Sequence, residues 1–211
     1  MKFSDPAKFK APWIPFDQIK QKADEFRKKY WGSDIVPVDI LFLAEEKLNL
    51  NFVPIKNFKM NNDFEALLYD GGKSIAVDES EYMDDRYLNR IRYSVAHEIA
   101  HLVLHKDLYD SFNFSNIDEW IETLDLIPEV EYNWVEQQAY EFAGRLLVPI
   151  IKLESSLKDF QTQIKLFKAS FPNTDNSSLR EHVATSLCKY FGVSSSVILK
   201  RIEKEKLDKY L

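Results

Sequence analysis

The chain has 211 residues, a formal net charge of −6 and a pI near 5.3, with 45% hydrophobic, 29% charged and 14% aromatic residues. That length allows one sizeable core, the composition excludes general disorder, and the acidic balance excludes a surface built wholly for nucleic acid. A single cysteine, Cys188, excludes an intrachain disulfide; with no run near the ~20 apolar residues of a membrane span and no apolar leader in MKFSDPAKFKAPWIPF, cytoplasmic residence is expected.

Pro6, Pro12 and Pro15 oppose helix at the start, and residues 17–31 then predict a charged surface helix with Ile19, Ala23, Phe26 and Tyr30 on its apolar face. Residues 38–50 have the apolar density of a buried helix that stops near Asn49. NFVPI, FEALLYD and KSIAVD are short and apolar. The last two flank Asp70-Gly71-Gly72, a hairpin signal, because glycine accepts positive φ without a Cβ clash. Residues 84–106 contain no Gly or Pro, open on acidic residues and predict one long helix. IDEWIETLDLI predicts another, ending before Pro128, and residues 129–147 a further one, closed by Pro149. Residues 151–169 read as helical and FPNTDNSS as a loop. Two last helices meet at Phe191-Gly192-Val193-Ser194. The expected class is α+β, mostly α: a small antiparallel sheet packed against the 84–106 helix, followed by a helical carboxy-terminal region. The expected division is 1–170 and 171–211.

Three of the four histidines fall in the run RYSVAHEIAHLVLH. Positions four apart on a helix stand one turn above each other, so His97 and His101 present both imidazoles to one point, as two ligands of a single Zn²⁺ require. Glu98 is rotated by about 100° from the first histidine, which suits a base holding a water rather than a ligand. A third ligand is needed, and EQQAYEFA supplies Glu136 at the margin of a broad buried face, with Glu141 as its competitor. His105, one further turn along, reads as a polar residue at the helix end, too far for the same ion.

The pair RYSVAHEIAHLVLH and EQQAYEFAGRLLVP resembles the two signatures of the ImmA/IrrE family of zinc metallopeptidases: His-Glu-x-x-His, then Glu-x-x-Ala-x-x-Phe-Ala-x-x-Leu-Leu-x-Pro. The resemblance covers about residues 35 to 205, and residues 92–149 carry it. It implies a zincin-like metallopeptidase domain with one Zn²⁺ held by His97, His101 and Glu136, favouring Glu136 over Glu141, and with Glu98 as catalytic base. It also implies a gluzincin-like endopeptidase whose substrate is a repressor-like regulatory protein. LCKYFGVSSSVILKRIE is similar to the helix-turn-helix-like tail that many members carry. The chain departs from the family at Tyr140, where Asn or Asp is usual and orients a zinc-bound histidine; another acceptor is then needed, or metal affinity changes.

An oxyanion also needs a donor, and Tyr140, His182, Tyr93 and Arg145 are the candidates. Cys188 reads as a small core residue. Lys200 and Arg201, followed by Lys204 and Lys206, are the candidate nucleic-acid contacts of the tail, but Glu203 and Glu205 interleave with them. DNA is therefore a possible but disfavoured partner. The alternatives to a peptidase are a DNA-associated regulator or a protein-interaction module with a structural or vestigial metal site.

Overall fold

The computed structural model describes residues 5–62, 64–112 and 116–211; the first four residues of the stretch read for a leader lie outside the described residues. Helix α1 (Phe16–Tyr30) buries Ile19, Ala23 and Phe26, the three- and four-residue spacing read from the sequence. The next helix is shorter than its apolar run. Asp39 caps α2 (Ile40–Phe42) by accepting the Phe42 N–H, and the chain continues as a π-helix over Leu43–Lys47. Then come β1 (Asn51–Ile55), the short helix α3 (Phe58–Asn62), β2 (Ala66–Tyr69) and β3 (Ser74–Asp78).

The strand order is β1-β3-β2. β2 and β3 form the predicted antiparallel pair, Ala66 opposite Val77 through Tyr69 opposite Ser74, around a turn in which Gly71 and Gly72 take φ of 62° and 80°. β1 pairs with β3 in parallel, Asn51 opposite Ser74 through Ile55 opposite Asp78, so the sheet is mixed rather than wholly antiparallel. The hairpin occupies one edge of β3. The chain between β1 and β3, which includes α3 and β2, lets β1 enter the other edge in the same direction. β3 is buried along its whole length, while β2 is an edge strand.

After α4 (Glu79–Tyr82) and a 3₁₀ turn at Asp85–Tyr87, α5 spans Leu88–Leu104. It stops one residue before His105, where α6 (Lys106–Ser111) begins a new direction. α7 (Ile117–Asp125) and α8 (Glu129–Leu147) follow, the latter with the predicted bounds. The expected 151–169 helix divides at Phe160 into α9 (Ile150–Asp159) and α10 (Gln161–Ser170). α11 (Asn176–Phe191) starts within the predicted loop, because Asp175 caps it by accepting the Ser178 N–H, and α12 (Ser195–Lys204) completes the chain's long helices.

α5 packs between β2 and α8, and α1 packs on α8. Ala96 and Ala100 on α5, with Ala139 and Ala143 on α8, are fully buried, and small side chains of this kind let two helix backbones approach closely. Phe142, on the α1 side of α8, meets Phe26 edge-on at 5.9 Å between ring centres; burying such a ring contributes on the order of 1.5–3 kcal/mol. The carboxy-terminal helices are fastened to this body. Buried Arg92 of α5 donates to the carbonyls of Gly192 and Val38 at 3.0 and 2.7 Å. Gly192 turns the chain with φ 64°, and a Cβ there would stand 2.9 Å from Arg92 Nε. On the other side, Arg145 bonds Glu141 and Glu205, each at 2.6 Å, and Arg201 bonds Glu205 at 2.8 Å.

Candidate metal centre

The imidazoles of His97 and His101 leave α5 on the same face and bring their Nε2 atoms to 2.9 Å from each other. Glu136, from α8, places its two carboxylate oxygens 3.0 Å from His97 Nε2 and 3.3 Å from His101 Nε2. The three side chains thus converge on one point, where a single cation would satisfy all of them. Ligand atoms around a tetrahedral zinc stand ~3.3 Å apart, so the donor set fits such an ion. Glu136 is also held in its charged form. Burial alone would raise the Glu136 carboxyl, but hydrogen bonds from His101 and His97 and their charges hold it well below the usual carboxylate range.

Glu98 also lies near both histidines, and the three residues form a buried group whose ligand atoms are all within 4.8 Å of one another. Its carboxylate is nevertheless aimed elsewhere: Oε2 accepts the backbone N–H of Leu68 at 2.7 Å. The Leu68 carbonyl accepts the indole N–H of fully buried Trp120 at 3.1 Å, so the β2 edge, α5 and α7 together fix where Glu98 sits. Burial raises the Glu98 pKa, against the pull of His101 and His97, which makes the group a stronger base than an exposed glutamate.

The site opens into a cleft of about 240 Å³ lined on one side by Phe64 to Leu67 and on the other by Tyr93, Tyr132 and Tyr140 with the residues above. Tyr140 is half exposed, and its ring centre is 4.4 Å from that of His97. It replaces the usual Asn or Asp without giving His97 an acceptor: His97 Nδ1 is buried and has no hydrogen-bond partner among the described residues. Tyr93 stacks beside Tyr140 but donates its hydroxyl to the Tyr140 carbonyl at 3.1 Å, so that proton is already committed.

His182 does not line this cleft; its ring stacks on Phe167 at 4.0 Å in the α10–α11 region. Arg145 and Arg201, read from the sequence as an oxyanion donor and a nucleic-acid contact, are both buried in the Glu141 and Glu205 ion cluster. A guanidinium 4% exposed and paired twice has no face left for a phosphate. Lys200 is exposed, with its ammonium 5.9 Å from the Tyr140 ring centre. Glu141, the competing third ligand, is accounted for by its bonds to Arg145, Arg201 and Lys204. Cys188 is partly buried and shares its thiol proton with the Ala184 carbonyl at 3.2 Å.

Four contributors escaped the sequence reading. Tyr132 stands one turn before Glu136 as Tyr140 stands one turn after it, a spacing that could have identified it; burial first, then the charges of Glu136 and Glu98, raise its phenol pKa. Gln138 bonds His105, which is buried rather than a polar helix end. Burial and the neighbouring His101 push the His105 pKa down to about 3, so the ring is neutral. Leu68 acts through its backbone and Trp120 reaches it from α7, and no sequence pattern announces either contact.

Residues 84–203 match the family model described as the IrrE N-terminal-like domain, peptidase family M78. No curated protein matches the chain. The family match spans α5 and α8 and covers more than half of the 211 residues, and the chain accordingly belongs to the IrrE N-terminal-like family of metallopeptidases.

Proposed function

We propose that this chain is a zinc endopeptidase that cleaves a regulatory, repressor-like protein. The observation that carries the reading is the convergence of His97, His101 and Glu136, with Glu98 held one step aside, in a chain of this family. His97 Nε2, His101 Nε2 and the Glu136 carboxylate would hold the ion. When bound, zinc supplies Lewis acidity to the attacking water and the scissile carbonyl.

The chain's own residues do the rest. Leu68 occupies Oε2 of Glu98, which leaves Oε1 to take the proton of the attacking water and deliver it to the leaving amine. The buried setting favours holding that proton between the two transfers. In this reading Tyr140, half exposed beside His97, donates its phenol to the developing oxyanion; its support is that Tyr93 is committed and that His182 and Arg145 lie in other contacts. Phe64 to Leu67 line the cleft along the approach to the β2 edge, a wall suited to an extended polypeptide. The choice of a repressor-like substrate rests on the family resemblance.

Among the described residues no helix is long and apolar enough to cross a membrane. A DNA-associated regulator has less support, because Arg201 is taken up by Glu141 and Glu205.

The test is to incubate zinc-loaded wild-type and Glu98→Gln protein with a lysate and to compare the new polypeptide amino termini. Termini that appear with the wild type and not with the variant support the peptidase. Equal sets from both proteins contradict it.

A further inference from the structure

His101 uses one ring nitrogen at the candidate metal centre, and the other begins a chain of contacts running away from it. His101 Nδ1 is 3.1 Å from His105 Nδ1, His105 Nε2 is 3.0 Å from Gln138 Oε1, and Gln138 Nε2 donates to the Pro12 carbonyl at 2.9 Å. The last atom in this chain has only one role. A proline carbonyl accepts and never donates, so the Gln138 amide must turn its NH₂ towards Pro12 and its oxygen towards His105. That oxygen also only accepts, so His105 Nε2 carries a proton. His105 is 2% exposed, and with its ring proton on Nε2 its Nδ1 is the acceptor, so the proton between the two rings belongs to His101 Nδ1. His101 Nε2 is then left with the lone pair that a metal needs.

We propose that Gln138 and His105 are positioning residues that transmit the fixed polarity of the Pro12 carbonyl to His101, holding it in the Nδ1–H tautomer with Nε2 directed at the metal. The inference rests on the reading of His101 as a ligand and adds the residues that make it a good one. It also gives the amino-terminal segment a role. Residues 9–13 are strapped across α8: Ala11 N–H and Lys10 Nζ bond Glu131 at 2.9 and 2.8 Å, Trp13 meets Trp134 at 5.3 Å, and Phe9 is buried. The strap places Pro12 where the relay ends. His101 is thereby oriented from behind, whereas His97, beside Tyr140, has no partner for its Nδ1 among the described residues. Of the two imidazoles, His101 is the preorganised one.

The experiment measures metal affinity, not activity. The full-length wild type, Gln138→Leu and Gln138→Glu are titrated with Co²⁺ and Zn²⁺ in competition with a chromophoric chelator, with folding checked by circular dichroism. Loss of an outer partner of a ligating histidine weakens binding by about 10- to 100-fold, and this is expected for Gln138→Leu. Gln138→Glu keeps an acceptor for His105 and is expected to bind more tightly than Gln138→Leu. A purely structural role for Gln138 gives the reverse order, because a buried carboxylate facing the Pro12 carbonyl disturbs packing more than leucine does. Wild-type affinity in Gln138→Leu, or that reverse order, overturns the relay while leaving the metal site intact. A wild-type chain that takes up neither metal overturns the site and the relay together. Should Gln138→Leu fail to fold, nitrogen NMR of the zinc-loaded wild type decides: His105 protonated on Nε2 is the expected tautomer, and His105 protonated on Nδ1 overturns the proposal.

Discussion

The backbone N–H of Leu68 donates to Glu98 Oε2 across 2.7 Å, so an edge strand holds in place the carboxylate assigned as base. Glutamine at position 98 can accept the same bond through its amide oxygen while losing the ability to take a proton. Glu98→Gln is therefore expected to retain wild-type metal content and melting behaviour and to lower kcat by about 10²-fold or more. Elemental analysis alongside a cleavage assay checks it; turnover close to wild type would remove Glu98 from the mechanism.

Tyr140 lends itself to two substitutions with different readouts. Tyr140→Phe removes the phenol beside His97 and is expected to lower kcat by about 10²-fold with metal affinity unchanged. Tyr140→Asn restores the residue type usual in the family and offers an acceptor near His97 Nδ1, which now lacks a partner among the described residues; zinc affinity is expected to rise by about 10-fold. Chelator competition measures the second effect, and unchanged affinity would show that position 140 does not reach that nitrogen.

Glu141 ties α8 to α12. Burial would raise its carboxyl, but Arg145, Lys204 and Arg201 hold it below the ordinary value of 4.5. A carboxyl depressed in the folded state stabilises the fold fully above its unfolded pKa, and that contribution is lost as pH falls through the folded one. Glu141→Gln also leaves Glu205 as the one carboxylate between buried Arg145 and Arg201, at a cost of about 1–3 kcal/mol near neutrality. Urea denaturation across pH is expected to show that the wild-type advantage is full above about pH 5 and shrinks steadily below about pH 4.5. A difference that stays constant down to about pH 3 would deny the depressed carboxyl.

The parts of this architecture governed by local pattern were legible in the sequence. α8 runs from Glu129 to Leu147 because a proline stands at each end of an uninterrupted helical period, and the juxtaposition of His97 and His101 follows from the helical period of α5. The parts that depend on distant encounters were not. The parallel pairing of β1 with β3 joins strands that are not consecutive in the chain, and nothing in NFVPI specifies its neighbour's direction. His105 looked like a polar helix end because its partner besides His101 is Gln138 of α8, which is itself anchored on the Pro12 carbonyl of the amino-terminal segment. Arg201 read as a free base because Glu141 lies far away in sequence and Glu205 was counted as an interleaved charge rather than as its partner. Glu136 needed the family pattern to separate it from Glu141. The structure separates them physically, with one carboxylate facing two imidazoles and the other facing two guanidiniums and an ammonium.

The most direct measurement is the metal content of protein purified without chelator, for the wild type and for His97→Ala, His101→Ala and Glu136→Ala. Three donors around a single ion predict about one zinc per wild-type chain and a large loss in each variant, Glu136→Ala included, with the fold retained. Wild-type zinc content in Glu136→Ala would contradict the account, because the two α5 histidines would then hold metal without the carboxylate that α8 brings to them.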